Sequence, residues 1–589
     1  MIRGLIPWVK GHSSLLLVAL AMVIGVAAKL SLTSGALLPG LDGAYYWVQV
    51  RKLMEQGQLA FPDVPLIFVI QGFFAWCVGD IKLGVRLTDA ILPALSAIPI
   101  FFMLRNTKQV WLPALVVLMV LLHPVQLFFL TGDFIKNEAA IPLVFVTGLI
   151  LTKWNHWPKR VSIISLVLTQ TLLAFTHFGT LILSLAICFI WLVLQLINKS
   201  RRFVLISVGV ALSAGIGASI LLNYFVPARF EKLMGLVLNP LAFFQNPAIL
   251  SLKQTYFLDS LNFALITGQF GAVLLAWVAY KNRDKFDVST LKFLAANLTA
   301  AGFFSSPLIG QEWAARFVAL SFVPLLLAFT VLIGKVQITP VTFLLRSAAA
   351  LTIAMSLIAL PAGGKFYVTT PDRYREFVSL MKTVELPDNS VVVADHGLEY
   401  LVAWELKTKV IETSYYSSEV AAEYQNVYVL RQKYPSATYG NYGIESYSPK
   451  KDASESPSDT KGDLVSSIPT GAVIYQSNNF ALSQIRPVIE AAPASVPADF
   501  PIGIPLLSGE VLLGISPGAD SWVVKVQAKQ PGQAKARAIQ SFAEAGFELR
   551  SDTESSSSVY RATFVNQTWS VRVEITTGGE ILYVVGLDG

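Results

Sequence analysis

Charged residues are scarce in this sequence. Only 14% of its 589 residues are Asp, Glu, Lys or Arg, whereas soluble domains contain about 25%. Hydrophobic residues make up 54% of the chain, and the mean hydropathy is +0.57. This composition excludes an ordinary soluble protein and indicates a polytopic membrane protein.

Cysteine is nearly absent as well, with two residues in the whole chain. Cys77 and Cys188 both lie in apolar segments, which argues against a disulfide framework. The formal net charge of +7 does not indicate nucleic-acid binding, because membrane proteins collect basic residues in their cytoplasmic loops. We therefore expect the lipid bilayer, and no nucleic acid, among the partners.

Long apolar runs fill the first 361 residues. A helix needs about 20 apolar residues to cross the hydrocarbon core, and the first run, Leu15 to Leu32, is too long for the core of a signal peptide. The sequence therefore predicts a polytopic α-helical membrane protein with about eleven transmembrane helices. Their approximate ranges are 13–36, 86–104, 110–130, 138–153, 161–177, 178–197, 203–226, 259–280, 292–309, 316–334 and 340–361.

The short apolar run from Pro65 to Val78 decides the topology. If it crossed the membrane, the short basic loops from Arg105 onwards would lie outside, against the positive-inside rule. We therefore predict an interfacial helix here. The N-terminus is then cytoplasmic, and the C-terminal region is extracytoplasmic. This topology is that of a multi-pass protein of the cell membrane, with Asp42 and Asp133 on the same, outer side.

The C-terminal region reads as soluble protein. The buried strand Ser390–Ala394 is followed by a helical stretch over Leu398–Leu406 and a strand near Val410, a βαβ-like pattern. Five prolines among small residues then predict a linker, and alternating apolar and polar residues predict a small α+β module. The predicted domains are 1–361 (transmembrane), 362–486 (extracytoplasmic α/β), 487–507 (Pro-rich linker) and 508–589 (α+β).

Asp42 directly follows the first apolar segment, in a turn made by Pro39, Gly40 and Gly43. The turn sets this acid beside three aromatic residues of the kind found at the headgroup level. The side chain of Asp42 either caps the helix that follows or lies in a water-filled cleft. In a cleft it would bind a metal ion or accept a proton.

A second acidic turn, from Thr131 to Glu138, follows another apolar segment. An acid at the start of the next helix would act as a cap. However, Asp133, Lys136, Asn137 and Glu138 together exceed what a cap needs. Two acids, a lysine and an amide in one turn favour a site for a divalent ion and a phosphate.

Other polar residues lie at predicted outer helix ends. His177 is either a functional ionisable group or a hydrogen-bond partner of a neighbouring helix. Arg316 suits a phosphate because its planar guanidinium grips two oxygens, although it also fits an interfacial anchor. Glu312 is a candidate third metal ligand, and Arg51 faces either the cleft or water.

The order of these features resembles the GT-C glycosyltransferases, which include oligosaccharyltransferase catalytic subunits, protein O-mannosyltransferases and aminoarabinose transferases. Asp42 stands in the first external loop, an interfacial helix follows, Arg86–Leu95 opens the second span, and Asp133 and Asn137-Glu138 follow the third. The Asp-Asn-Glu motif of the oligosaccharyltransferases is interrupted here by Phe134-Ile135-Lys136. The resemblance covers about residues 13–200.

This resemblance implies a GT-C fold, a sugar donor carried on polyprenyl phosphate or diphosphate, and transfer to a protein, glycan or lipid acceptor on the outer face. A transporter or flippase of lipid-linked substrates and a non-catalytic membrane scaffold are the alternatives. The hypothesis assigns catalysis to Asp42, Asp133 and His177, donor-phosphate binding to Lys136, Asn137, Arg316 and Arg51, and a possible Mg²⁺ or Mn²⁺ ion to Asp42, Asp133, Glu138 and Glu312.

Overall fold

In the computed structural model the chain forms two compact units, with a boundary at Pro371–Asp372. The two units are described separately. The structure describes residues 2–38, 42–126, 134–197, 223, 230, 234–235, 238–239, 241, 244, 260–309, 317–336, 371–416, 421, 423–432, 472–486, 495–518, 521–555, 559–576 and 578–587.

The first unit is built of helices over its described residues. They are α1 (Ile2–Leu32), α2 (Gly43–Gln56), α3 (Leu66–Val78), α4 (Ile81–Ala94), α5 (Ala97–Leu104), α6 (Leu112–Leu121), α7 (Ile135–Lys153), α8 (Lys159–Thr176), α9 (Phe178–Leu196), α10 (Ser260–Lys281), α11 (Val288–Phe304) and α12 (Phe322–Lys335).

Among the described residues, six helical segments are long and apolar enough to cross a membrane, which agrees with the predicted multi-pass class. They are His12–Leu32, Ile81–Leu104, Ile135–Lys153, Lys159–Thr176, Phe178–Leu196 and Phe317–Lys335. The total of about eleven is not confirmed, because the predicted spans 203–226 and 340–361 lie almost wholly outside the described residues. The span predicted over 110–130 is described only to residue 126, and its helix α6 has 10 residues.

Helix α3 is as short as the sequence predicts, and its interfacial position stays a prediction. Its 13 residues extend about 20 Å, less than the roughly 30 Å of the hydrocarbon core. One face packs on α2 and α4, while Phe73 and Trp76 are exposed, as is typical of aromatic residues at a membrane interface. A close approach of α3 and α4 is possible because Gly84 has no side chain: a Cβ there would meet the Ala75 backbone at 2.3 Å.

Helix α7 lies near the centre of the first unit, because 78% of its apolar window is buried. The segment Phe317–Lys335, which contains α12, is 89% buried, whereas the windows of α1 and α8 are only 28% and 22% buried. Helix α7 begins at Ile135, three residues before the predicted start. Lys136, Asn137 and Glu138 therefore form its first turn and not a loop, which corrects the sequence prediction. A carboxylate in the first turn interacts favourably with the helix dipole, so Glu138 is compatible with helix in this position.

The second unit contains a five-stranded sheet in the order β2-β1-β3-β5-β4. Strand β1 runs parallel to β2 and β3, and the two remaining pairs are antiparallel. Helix α14 (Leu398–Leu406) joins β1 to β2, which confirms the predicted βαβ unit. The strands are β1 (Ser390–Ala394), β2 (Lys409–Glu412), β3 (Asn426–Gln432), β4 (Ala472–Gln476) and β5 (Phe480–Arg486), and α13 (Pro371–Met381) precedes them.

A six-stranded antiparallel sheet in the order β6-β7-β11-β10-β9-β8 forms the α+β module. Phe542, on the helix between β7 and β8, stacks on Phe564 with ring centroids 4.3 Å apart. The predicted strands are present, and β6 and β8 are additional. The elements are β6 (Gly509–Gly518), β7 (Ser521–Ala528), α15 (Ala534–Glu544), β8 (Glu548–Ser555), β9 (Val559–Val565), β10 (Trp569–Thr576) and β11 (Glu580–Leu587).

The substitution Gly84→Ala tests the contact between α3 and α4. We expect it to destabilise the protein by about 1–3 kcal/mol, because the new methyl group would meet backbone atoms and the helices would have to separate. The measurement is the thermal midpoint of the purified protein in detergent.

The matched control is Gly302→Ala on α11, where a Cβ meets nothing within 4 Å. Alanine is the better helix former by about 1 kcal/mol, so this variant should be as stable as the wild type or more stable. Equal midpoints for the two variants would contradict the close packing of α3 on α4.

Candidate active site

Lys136, in the first turn of α7, forms an ion pair with Asp63. The two residues are 73 positions apart in the chain, so their meeting depends on helix packing. The Asp63 side chain is 3% exposed and that of Lys136 is 18% exposed. The Asp63 side chain is therefore enclosed, whereas the Lys136 side chain is partly exposed.

Tyr45 completes this group. Its hydroxyl donates a hydrogen bond of 2.5 Å to Asp63 Oδ2 and accepts one of 2.9 Å from Gln49 Nε2. The Val64 backbone N–H donates to Asp63 Oδ1 at 2.8 Å. The Lys136 ammonium also lies 5.5 Å from the ring centroid of Tyr45, within the range of a cation–π interaction. We call Tyr45, Asp63 and Lys136 the outer cluster.

The electrostatics of the outer cluster keep Asp63 ionised. Burial alone would raise the pKa of Asp63, but Lys136, Tyr45 and the Val64 N–H hold it below the ordinary 3.8. Burial, followed by the charge of Asp63, raises the pKa of Tyr45, which therefore stays a neutral donor. The cluster thus presents an oriented cation beside an ionised, fully hydrogen-bonded carboxylate.

Asp42 stands at the N-cap of α2, but its side chain makes no capping hydrogen bond. The structure therefore does not support the interpretation of Asp42 as a helix cap. Its charge also contributes to raising the pKa of Tyr45, which places the carboxylate within electrostatic range of the outer cluster. Asp42 and Lys136, both predicted site residues, are thereby brought to the same region.

A second charged group lies deeper in the helices. Lys29 of α1 forms an ion pair with Glu138 of α7, and both side chains are 1% exposed. Lys29 also interacts electrostatically with Asp89 of α4, whose Oδ1 accepts a hydrogen bond of 3.0 Å from Gln71 Nε2. We call Lys29, Asp89 and Glu138 the inner cluster.

Sequence reasoning did not assign Lys29, Asp63 or Asp89 to the site. Lys29 and Asp89 lie inside predicted apolar spans and Asp63 lies just before α3. The available signal was the rarity of charge within a membrane span, which marks functional or paired residues. That signal identifies Lys29 and Asp89 individually, but it does not identify their partners.

The remaining predicted residues are distributed as follows. His177 caps α9, with its Nδ1 accepting from the Thr180 backbone N–H at 3.1 Å, which gives the ring a structural role. Arg51 is partly buried on α2, about 120° around the helix from Tyr45. Asp133, Glu312 and Arg316 lie outside the described residues.

Of the four predicted metal ligands, only Asp42 and Glu138 lie among the described residues. Glu138 is paired with Lys29, so its charge is already neutralised by a cation, which argues against this carboxylate as a metal ligand. Asn137, beside it, is 2% exposed, and its Nδ2 has no hydrogen-bond partner within the described part of the chain. A Mg²⁺ or Mn²⁺ ion at Asp42 therefore stays a prediction.

Comparisons with known proteins give matches among solved structures. No protein-family model matches the sequence, and no curated protein matches it. The chain is similar to the archaeal oligosaccharyltransferase AglB from Archaeoglobus fulgidus, solved in complex with an inhibitory peptide and a dolichol-phosphate. The TM-score is 0.45 at 13% identity, over 72% of this chain and 70% of AglB.

The chain is also similar to ArnT from Cupriavidus metallidurans, solved with bound undecaprenyl phosphate, with a TM-score of 0.45 at 11% identity over 80% of this chain and 97% of ArnT. At these identities no correspondence between individual residues follows, so the roles of site residues are argued from this chain alone.

The ion pair of the outer cluster predicts a measurable stability difference. Lys136→Met should destabilise the protein by about 3 kcal/mol at neutral pH, because it leaves the enclosed Asp63 carboxylate without its cation. The folded-state pKa of Asp63 is lowered, so this contribution is complete above pH 3.8 and is lost as the pH falls through the folded value. Thermal midpoints in detergent between pH 7 and pH 3 measure it.

Lys335→Met is the matched control, because Lys335 pairs with Asp287 at 3.2 Å with both side chains exposed. A surface pair of this kind contributes about 0–1 kcal/mol. In the double variant Asp63→Asn/Lys136→Met, part of the lost stability should return. Additive losses in the double variant would show that the two side chains do not interact.

Proposed function

We propose that the protein is a membrane glycosyltransferase that moves a sugar from a polyprenyl phosphate or diphosphate donor to an acceptor on the outer face of the membrane. The observation that carries this proposal is the outer cluster, Tyr45, Asp63 and Lys136, with Asp42 within its electrostatic range. It combines an oriented cation and a separate carboxylate in a unit whose described residues include six helical segments that are apolar and long enough to span a bilayer.

Lys136 is the group proposed to bind the donor phosphate. The carboxylate of Asp63 and the ring of Tyr45 hold its ammonium in place, and an ammonium has three donors, so hydrogens remain for phosphate oxygens. When the bond between the sugar and the phosphate breaks, negative charge grows on the leaving phosphate. A cation already fixed at that position stabilises this charge without reorganisation.

Asn137, Arg316 and Arg51 are the further donor-binding residues of the proposal. The amide of Asn137 has a free hydrogen-bonding capacity at Nδ2 within the described residues, and a buried polar group of this kind needs a partner. Arg316 and Arg51 carry the guanidinium groups that suit phosphate. AglB and ArnT were solved with dolichol-phosphate and undecaprenyl phosphate, which belong to the lipid class proposed here.

Asp42 is the proposed acceptor-side group. Its carboxylate takes the proton from the attacking group of the acceptor as that group bonds to the sugar carbon, and the sugar–phosphate bond breaks. Asp133 is proposed to assist, together with a divalent ion if one is bound. The apolar spans hold the polyprenyl tail of the donor in this scheme.

The inner cluster favours a second candidate, a transporter or flippase of lipid-linked substrates. Lys29, Asp89 and Glu138 are ionisable groups buried in membrane-type helices, and such groups often mark a transport path. A flippase moves the labelled lipid between leaflets without transferring its sugar. The two candidates therefore differ in the product that each assay detects.

Asp42→Asn tests the transferase. In proteoliposomes with a labelled polyprenyl-linked sugar, the variant should lose about 10²–10⁴-fold of the transfer rate while expression stays near normal. Asp133→Asn is expected to behave in the same way. The control is Asp284→Asn, which changes a carboxylate that is 93% exposed and should leave the rate unchanged.

Full activity in both Asp42→Asn and Asp133→Asn would remove their catalytic assignment. Movement of the labelled lipid between leaflets with no transferred sugar would instead favour the flippase. Acceptors of each class, a peptide, a glycan and a lipid, are supplied in parallel in this assay, so that the absence of one acceptor does not mimic an inactive protein.

A further inference from the structure

Three ligand-type side chains meet in the second unit, at the carboxyl end of the parallel strands β1 and β2. His396 lies in the turn after β1, Glu399 in the first turn of α14, and Glu412 is the last residue of β2. The register of the two strands pairs Ala394 with Glu412. This edge of a parallel sheet is where ligands of α/β proteins commonly bind.

The backbone between β1 and α14 brings the first two residues together. Gly397 has a φ of 87°, a left-handed conformation that glycine adopts without a steric penalty. The turn therefore reverses within two residues and places His396 and Glu399 side by side. The same turn positions Asp395, whose Oδ1 accepts a hydrogen bond of 3.1 Å from Thr413 Oγ1, in the residue that follows β2.

The two distances from His396 fit a shared ion, and the ligand atoms of all three residues lie within 4.8 Å of one another. His396 Nδ1 lies 3.4 Å from Glu399 Oε1 and 3.3 Å from Glu412 Oε2. Two ligands of a tetrahedral Zn²⁺ ion with bonds of about 2.0–2.1 Å are roughly 3.3–3.4 Å apart. By contrast, one ring nitrogen carries at most one hydrogen, so it cannot donate equally well to both carboxylates at similar distances.

Glu399 provides an independent observation. Its side chain is 3% exposed, and its second oxygen, Oε2, has no hydrogen-bond partner among the residues that the structure describes. Burying a carboxylate without a compensating partner is costly. A bound cation would supply that partner, and the more exposed side chains of His396 (39%) and Glu412 (22%) leave the group open to ions from solvent.

We propose that His396, Glu399 and Glu412 form a binding site for a divalent transition-metal ion of the Zn²⁺ type. Imidazole together with carboxylates selects such ions over Mg²⁺ and Ca²⁺, which prefer ligand sets made of oxygen alone. The site joins the turn after β1, the start of α14 and the end of β2. It is separate from the proposed transferase chemistry and does not depend on it.

The test uses the full-length protein in detergent, purified without a polyhistidine tag and treated with a chelator that is then removed. Zn²⁺ binding is measured by competition with a chromophoric chelator, and Mg²⁺ is titrated in parallel. We expect one Zn²⁺ per chain, bound at least tenfold more tightly than Mg²⁺, and a higher thermal midpoint in the presence of Zn²⁺.

Glu399→Gln, Glu412→Gln and His396→Ala should each weaken Zn²⁺ binding at least tenfold. The matched control is Glu405→Gln on the same helix, whose carboxylate accepts a hydrogen bond of 3.1 Å from the Tyr374 hydroxyl; it should bind Zn²⁺ as the wild type does. Circular dichroism checks folding, and the two near-isosteric glutamine variants carry the test if His396→Ala does not fold.

Absence of stoichiometric Zn²⁺ binding would overturn the proposal and leave a histidine that forms simple ion pairs with two glutamates. The proposal would also be overturned if Glu399→Gln and Glu412→Gln bound Zn²⁺ with the same affinity as Glu405→Gln. The ion would then be bound elsewhere.

Discussion

The need to neutralise charge away from water governs the first unit. A charged side chain inside a helical membrane protein is stable only beside an opposite charge or strong hydrogen-bond partners. Lys136 and Glu138 meet this need in different directions, since residues two apart on a helix point about 160° away from each other. Lys136 reaches Asp63, and Glu138 reaches Lys29. One turn of the central helix α7 therefore links α1 to the segment that follows α2.

The two clusters differ in their access to water, and this difference separates their chemistry. Lys136 keeps 18% of its side chain exposed, and the proposed function places the donor phosphate beside its ammonium group. Lys29 and Glu138 are each 1% exposed, and such a buried pair is better suited to fixing the relative positions of helices. The outer cluster thus carries the proposed function, and the inner cluster holds the helices that present it.

The second unit uses strands where the first uses helices. In a parallel pair, the carboxyl ends of both strands lie at one edge of the sheet, and this brings Glu412 beside the turn that carries His396. The turn itself depends on the positive φ of Gly397. A local conformation and a strand register together create a cluster whose members lie on three different elements.

The sequence by itself determined the membrane class, the short apolar helix α3, the βαβ unit and the main strands of the α+β module, because hydropathy and periodicity are local properties. It also pointed to Asp42 and Lys136, although it placed Lys136 in a loop. Only the tertiary structure decided that Lys136 pairs with Asp63 and that Glu138 pairs with Lys29. The pairs join residues far apart in the chain. Which residues meet depends on how the helices pack, and a local sequence pattern does not determine that packing.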